Sequence, residues 1–198
     1  MISVSRRLGG WVSGFRLDNG PPRAANEAKR CILDVVGVSL AAARESASLV
    51  AAKLASDEMG TGTCMVIGSS SRVTATGASY ANAVAAHALD FDDTCYDGIV
   101  HGSAVVWPAV LAAAERVNAS GAEALAGFVA GVEAEYAIGR AIGDHTYWSG
   151  WWNTALLGTL GAAAGAARVF RLDAEETANA IRLAAAQPIG LRQVFGTT

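Results

Sequence analysis

Asn82-Ala83-Val84-Ala85-Ala86-His87-Ala88-Leu89-Asp90-Phe91-Asp92-Asp93-Thr94, followed by His101-Gly102-Ser103, is the stretch on which the reading of this chain turns. Its first half is apolar and Ala-rich at helical spacing, so it reads as the end of a helix from about Thr76 to Leu89. Carboxylates then gather where that helix ends. A helix C-terminus carries partial negative charge, so acids placed there cost stability. Residues that break a local rule are where function is expected. If the helix continues through Thr94, then His87, Asp90, Phe91 and Thr94 lie on neighbouring rows, with Asp93 beside them. His101 follows one loop later, at the approach to the next helix. There the amides of Gly102, Ser103 and Ala104 offer a positive N-terminal pocket for an anion.

Outward from this stretch the chain reads as more helices. Val4, Leu8, Trp11, Val12 and Phe15 space an amphipathic first helix, the plainer reading of an N-terminus that holds Arg6, Arg7 and Arg16 and no acid before Asp18. Pro21-Pro22 opens a second helix, with Ala28, Cys31, Ile32, Val35, Val36 and Leu40 on its apolar face. A third runs from about Glu45 to Met59, with Gly60 as its stop. Thr63 to Ile67, bounded by glycines, is the one good strand candidate. A fifth helix spans Ser103 or Val105 to Val117, with Pro108 in its first turn or kinking it. Ser120 with Glu123 and Asp173 with Glu176 form capping boxes for helices over about 122–142 and up to Gln187-Pro188. Between them lies a helix over about 154–170, whose Gly158, Gly161, Ala162, Gly165 and Ala166 permit close approach of another helix. The fold class expected is all-α, as one helical domain over residues 1–198.

Composition narrows the partners. Apolar residues make up 52% and charged residues 17% of the chain, which fits a well-buried or oligomeric protein rather than a disordered one. The net charge is −3 and no basic block exists, which argues against nucleic acid. The longest strongly apolar stretch, Thr154 to Ala167, is too short for a bilayer span, so no membrane partner is expected. Cys31, Cys64 and Cys95 are odd in number and far apart, which points to a reducing, cytoplasmic compartment rather than a disulfide framework. No GxGxxG follows a strand, so nucleotide binding has little support.

The residues alone leave several readings of the central stretch open. Asp92 and Asp93 can solvate a loop while His87 is a satisfied core histidine. The acids and two histidines can supply hard metal ligands, although no HxxxH or HExxH spacing is present. A carboxylate paired with a histidine can instead move protons near neutral pH, with Thr94 holding a substrate oxygen. Cys95 beside His101 is a weaker candidate nucleophile; a small buried thiol is the simpler account.

At these residues the chain resembles the MmgE/PrpD family, which includes 2-methylcitrate dehydratase, cis-aconitate decarboxylase and iminodisuccinate epimerase. The resemblance begins at Cys31-Ile32-Leu33-Asp34-Val35-Val36-Gly37. It is strongest where N-x-x-x-x-H-A-L-D-F-D-D-T from Asn82 is followed by H-x-S-x-x-x-x-P-A-x-L-A-x-A-E up to Glu115. It continues through Gly158-Thr159-Leu160-Gly161-Ala162-Ala163-Ala164 to Gly190-Leu191-Arg192-Gln193-Val194-Phe195-Gly196-Thr197. The resemblance implies a large helical domain with a smaller α+β lid, a homodimer, and work on small carboxylate substrates without metal or organic cofactor. It implies that Asp90, Thr94 and His101 are catalytic; Asp93, Gly102, Ser103, His145 and Trp152 are expected around the substrate.

Two departures stand out. The family shows Gly-[Trp/Phe]-His-Pro-Thr where this chain has Gly150-Trp151-Trp152-Asn153-Thr154, so Trp152 stands in place of a histidine, and His145 is the nearest substitute. The family also continues with a Lys-x-x-His motif and the lid beyond the point where this sequence stops. The expectation is therefore a truncated or split member with the lid absent, to which a complementing C-terminal half is a conceivable partner. Two functions follow as alternatives. One is a lyase-type enzyme that dehydrates, decarboxylates or epimerises a small di- or tricarboxylate by cofactor-free acid/base catalysis. The other is a catalytically inactive, dimerising helical scaffold.

Overall fold

Local capping explains most of the element boundaries. The computed structural model describes residues 3–194, which form eight α-helices and one two-stranded sheet. In α1 (Val4–Gly14) the Ser3 side chain accepts the Arg6 amide. Pro22 sits in the first turn of α2 (Pro22–Ala42), where its missing N–H costs nothing. After α3 (Ser46–Glu58) the strand β1 (Thr61–Met65) pairs antiparallel with β2 (Arg72–Val73). The single expected strand is thus half of a small hairpin, and the partner was too short to show any period. Thr74 caps α4 (Ala75–His87), and α5 (Gly102–Val117) ends on left-handed Asn118. Both expected capping boxes form, on α6 (Gly121–Trp148) and α8 (Ala174–Ala185), with α7 (Asn153–Val169) between them. Pro108 lies inside α5 and is buried, beyond the first turn.

The all-α expectation therefore holds. No single helix among the described residues is long and apolar enough to cross a membrane. The last part of the resemblance, Phe195-Gly196-Thr197, lies outside the described residues.

Small residues bring the central helices together. A Cβ on Gly131 of α6 would lie 2.8 Å from the Gly161 carbonyl of α7 and 2.6 Å from Val106 of α5. Gly165 packs in the same way on Gly127 and Val110. The small-residue pattern of α7 is thus tight core packing, in a region where a single added methyl is felt. The main apolar cluster joins Val106, Trp107 and Val110 of α5 to Phe128 of α6 and Val169 of α7.

Two residues of the central motif prove architectural. The Asn82 side chain accepts the Ile67 amide at 2.8 Å and donates to the Met65 carbonyl at 3.0 Å, tying the hairpin to α4. Glu115 of α5 accepts the Met65 amide at 2.9 Å and pairs with Arg72 at 3.2 Å.

Candidate active site

The helix carrying the central motif stops at His87, two residues before Leu89 and well short of Thr94. Asp90 adopts a left-handed φ of 50°, which no continuing helix allows, and its amide donates to the His87 carbonyl. The shared helical face expected for Asp90 and Thr94 does not exist. The turn does something else: it swings Asp92 back under the helix end, where its side chain is 0% exposed.

Asp92 is the centre of the cluster. Its carboxylate lies 2.9 and 3.1 Å from Nδ1 of His87 and 3.3 Å from Nδ1 of His101. The two imidazole centroids are 4.8 Å apart, and the Trp152 ring lies 5.4 Å from that of His87. The Thr94 hydroxyl is 3.5 Å from His101 Nδ1. Burial on its own would lift the Asp92 carboxyl, but hydrogen bonds with His101 and His87, and their charge, hold it at about 2. The same hydrogen bond raises His101 despite its burial, helped by the charges of Asp92 and Asp90. The result is an ionised carboxylate beside an imidazole biased towards its cationic form.

The loop between Thr94 and His101 is held by its own backbone and by α6 and α7. Cys95 and Val100 exchange two backbone hydrogen bonds, of 2.8 and 3.2 Å, so residues 94 and 101 face each other. Gly98 presses onto α6, where a Cβ on Gly139 would come within 2.8 Å of its Cα. The buried Asn153 side chain donates to the Gly98 carbonyl at 2.7 Å and the Gly143 carbonyl at 2.8 Å. The Thr154 hydroxyl accepts the His101 amide at 3.3 Å.

Asp93 has a different employment from Asp92. It accepts the Ser103 amide at 3.1 Å and the Ser103 hydroxyl, so it caps α5 from outside the helix. The Ser103 amide of the expected anion pocket is therefore already engaged. Gly102 is buried under Tyr136, whose hydroxyl would lie 2.3 Å from any Cβ there. Beneath this cap, burial and Asp93 push the Cys31 thiol up.

The structure thus gathers His101, Thr94, Asp90 and Trp152 around one point, with Asp93 and Ser103 supporting it from behind. His145 stays apart. The helix α6 runs six residues beyond its expected end, to Trp148, and keeps His145 exposed in its last turn. Sequence reasoning did not place Asp92 or His87 among the catalytic or substrate-binding residues; it left them open between a solvated acid with a core histidine and a set of metal ligands. The one available signal was their spacing of five residues across a predicted helix end. Asp92, not Asp90, is the carboxylate hydrogen-bonded to His101.

One ligand atom from each of His87, Asp90, Asp92 and His101 falls within 4.8 Å of the others, so these four could also surround a cation.

The model of the MmgE/PrpD N-terminal domain matches residues 6–198. The chain is 28% identical over 197 residues to a cis-aconitate decarboxylase-like protein, oryM, of Aspergillus oryzae, covering 96% of this chain and 41% of the relative. It is 27% identical over 196 residues to a cis-aconitate decarboxylase of Aspergillus terreus, covering 95% of this chain and 40% of that protein. It thus spans about two fifths of the length of these relatives. With a family model matched over nearly all its residues, the chain belongs to the MmgE/PrpD family, as that family's N-terminal domain.

Proposed function

We propose that the cluster around Asp92 performs the acid/base chemistry of a lyase acting on a small di- or tricarboxylate, without metal or organic cofactor. The observation that carries this reading is one buried, ionised carboxylate shared by two imidazoles. A carboxylate bound to one ring nitrogen orients the imidazole and fixes which nitrogen carries the proton. His101 then exchanges a proton at its other nitrogen, Nε2. Thr94 donates to a substrate oxygen, and exposed Asp90 at the mouth serves as base.

In elimination of water, a proton leaves the carbon beside a carboxylate and hydroxide departs with a proton from His101. In decarboxylation, the C–C bond breaks, the electron pair stays on carbon and spreads onto the neighbouring carboxylate, and His101 protonates that carbon. Both routes build negative charge that positioned donors must stabilise. The names of the Aspergillus relatives favour the second. The dimer and the cytoplasmic compartment belong to the same proposal.

The test is a turnover screen on aconitate, methylcitrate and related acids, with and without a supplied C-terminal half from a relative. Turnover in either arm that falls at least 100-fold in His101→Ala supports the reading. Full rate in that variant removes His101 from the mechanism. No turnover in any arm leaves the inactive dimerising scaffold as the better account.

A second reading, metal-assisted chemistry, is favoured by the convergence of four ligand atoms from His87, Asp90, Asp92 and His101. Calorimetric titration with Mn²⁺ and Zn²⁺ tests it. Micromolar binding lost in His87→Ala supports it, and the absence of binding dismisses it.

A further inference from the structure

The chain after α8 is laid back on the turn between α6 and α7. The Trp152 amide donates to the Gly190 carbonyl at 3.0 Å and the Arg192 amide to the Gly150 carbonyl at 2.9 Å, on either side of a Trp151–Leu191 bridge. A pairing this short has little stability of its own in water. Apolar burial adds little to it, because Ile189 and Leu191 are 82% and 57% exposed. Arg192 pins it instead. Its Nη1 donates to the Tyr147 carbonyl at 3.2 Å, and its guanidinium carbon lies 4.8 Å from the centre of the Tyr147 ring and 5.2 Å from that of Trp148. A guanidinium over an aromatic face is attracted by the ring quadrupole, and its planar shape lets it stack and donate at once. Gly190 is fitted to the same contact. Its φ is +149°, and a Cβ there would lie 2.6 Å from the Ala155 Cβ of α7 and 3.8 Å from that of Trp152.

Trp152 joins this strap to the candidate site. It precedes α7 in extended backbone, with its amide held by Gly190. Its ring lies 5.4 Å from that of His87 at an interplanar angle of 37°, within the range of aromatic pairs. His87 approaches both oxygens of Asp92, the carboxylate that it shares with His101. A ring packed beside His87 restricts its rotation away from Asp92. We infer that Arg192 is a positioning residue of the candidate site: clamped over Tyr147 and Trp148, it holds the segment after α8 on the α6–α7 turn and keeps the Trp152 ring against His87. The bearing of this clamp on catalysis rests on the acid/base reading above, whereas the placement of Trp152 does not.

The experiment is ¹⁹F NMR of the full 198-residue chain labelled with 5-fluorotryptophan. The Trp152 resonance is the one lost in Trp152→Phe. It should move between about pH 5 and about pH 8, where imidazoles titrate, and His87→Asn should remove that movement. Arg192→Gln should reduce it roughly twofold or more, because the cation over the rings is gone. Gly190→Ala, which forces the strap off α7, should do the same by a different route. Arg192→Lys keeps a cation over the rings and should recover about half of the loss. The resonances of Trp11 and Trp107, on α1 and α5, report on the rest of the fold and should stay in place.

Full movement in Arg192→Gln and Gly190→Ala overturns the inference. Movement that survives in His87→Asn overturns it too, as does a loss accompanied by displaced Trp11 and Trp107 resonances, or one that Arg192→Lys does not relieve. The acid/base reading is judged separately, by turnover in His101→Ala. Turnover that depends on His101, with Trp152 indifferent to Arg192, removes the inference alone. A Trp152 response that depends on Arg192, in a protein without turnover, removes the acid/base reading and leaves Arg192 as the residue that places Trp152.

Discussion

Nδ1 of His101 lies 3.3 Å from the carboxylate of Asp92, nine residues earlier, across a loop that folds back on itself through the Cys95–Val100 pair. The same carboxylate faces His87 from the other side at 2.9 Å. One acid thus lies between two imidazoles and biases one of them, His101, towards its cationic form.

Asp92→Asn should lower the protonation midpoint of His101 and cost about 2 kcal/mol of stability, because a hydrogen bond to a charged, buried group is lost. NMR titration of the His101 ring protons checks the first effect and urea denaturation the second. An unchanged His101 titration would show that Asp92 does not set its charge.

The wild-type pair also predicts a pH window. Asp92 is depressed in the folded state, so its stabilisation is complete above the ordinary carboxylate range and is lost as pH falls towards about 2. His101 is raised, so its contribution is complete below the ordinary imidazole value and is lost as pH rises through the raised one. The pair therefore contributes most between about pH 4 and about pH 6.5. Urea midpoints for wild type and Asp92→Asn should differ most in that window and converge at both ends.

Glu135 of α6 is 0% exposed, and neither carboxylate oxygen has a hydrogen-bond partner. Burial, reinforced by the charge of Asp93, pushes it well above the usual carboxylate range. An acid raised in the folded state stabilises below its unfolded value and loses that contribution as pH rises towards the folded one. Wild-type stability should thus decline above about pH 4.5 through this group, and Glu135→Gln should flatten the decline. Urea denaturation of both proteins between pH 4 and pH 8 measures it. Parallel curves would mean that Glu135 does not stay protonated.

Asn153 is buried and bridges the loop and α6 through the Gly98 and Gly143 carbonyls, while its own carbonyl accepts the Thr146 hydroxyl at 2.7 Å. Asn153→Ala should cost roughly 2–3 kcal/mol, because two buried acceptors lose their donor. It should also blur the Thr94–His101 placement. Thermal melts together with crystallographic B-factors over 95–100 check both effects.

Ser103→Ala removes one of the two donors to Asp93 and weakens the cap of α5. About 1 kcal/mol of destabilisation is expected, with His101 titration unchanged, because Asp93 reaches the His101 imidazole through its backbone and not through the carboxylate that caps α5. A shifted His101 midpoint in this variant would show that Asp93 and Asp92 act as one unit.

Much of the architecture was legible in the chain itself. Pro21-Pro22, Ser120 with Glu123, and Asp173 with Glu176 mark helix starts by local chemistry alone, and each acts within a few residues of its own position. The boundaries that misled were decided from a distance. His145 reads as loop, yet α6 runs past it to Trp148. β2, with two residues, has no meaning without β1 across from it.

By itself the sequence determined the helical class, the family, and the segment between residues 87 and 103 proposed above as the site, because periodicity, caps and a long motif are all local in the chain. Only the tertiary structure decided which of three acids serves which partner. Asp90, Asp92 and Asp93 are near neighbours in the chain. A left-handed turn at Asp90 and a loop pinned by Asn153 leave the first in solvent, bury the second between imidazoles and set the third on Ser103. Those roles depend on where α5, α6 and α7 meet, and no pattern within the segment encodes that meeting.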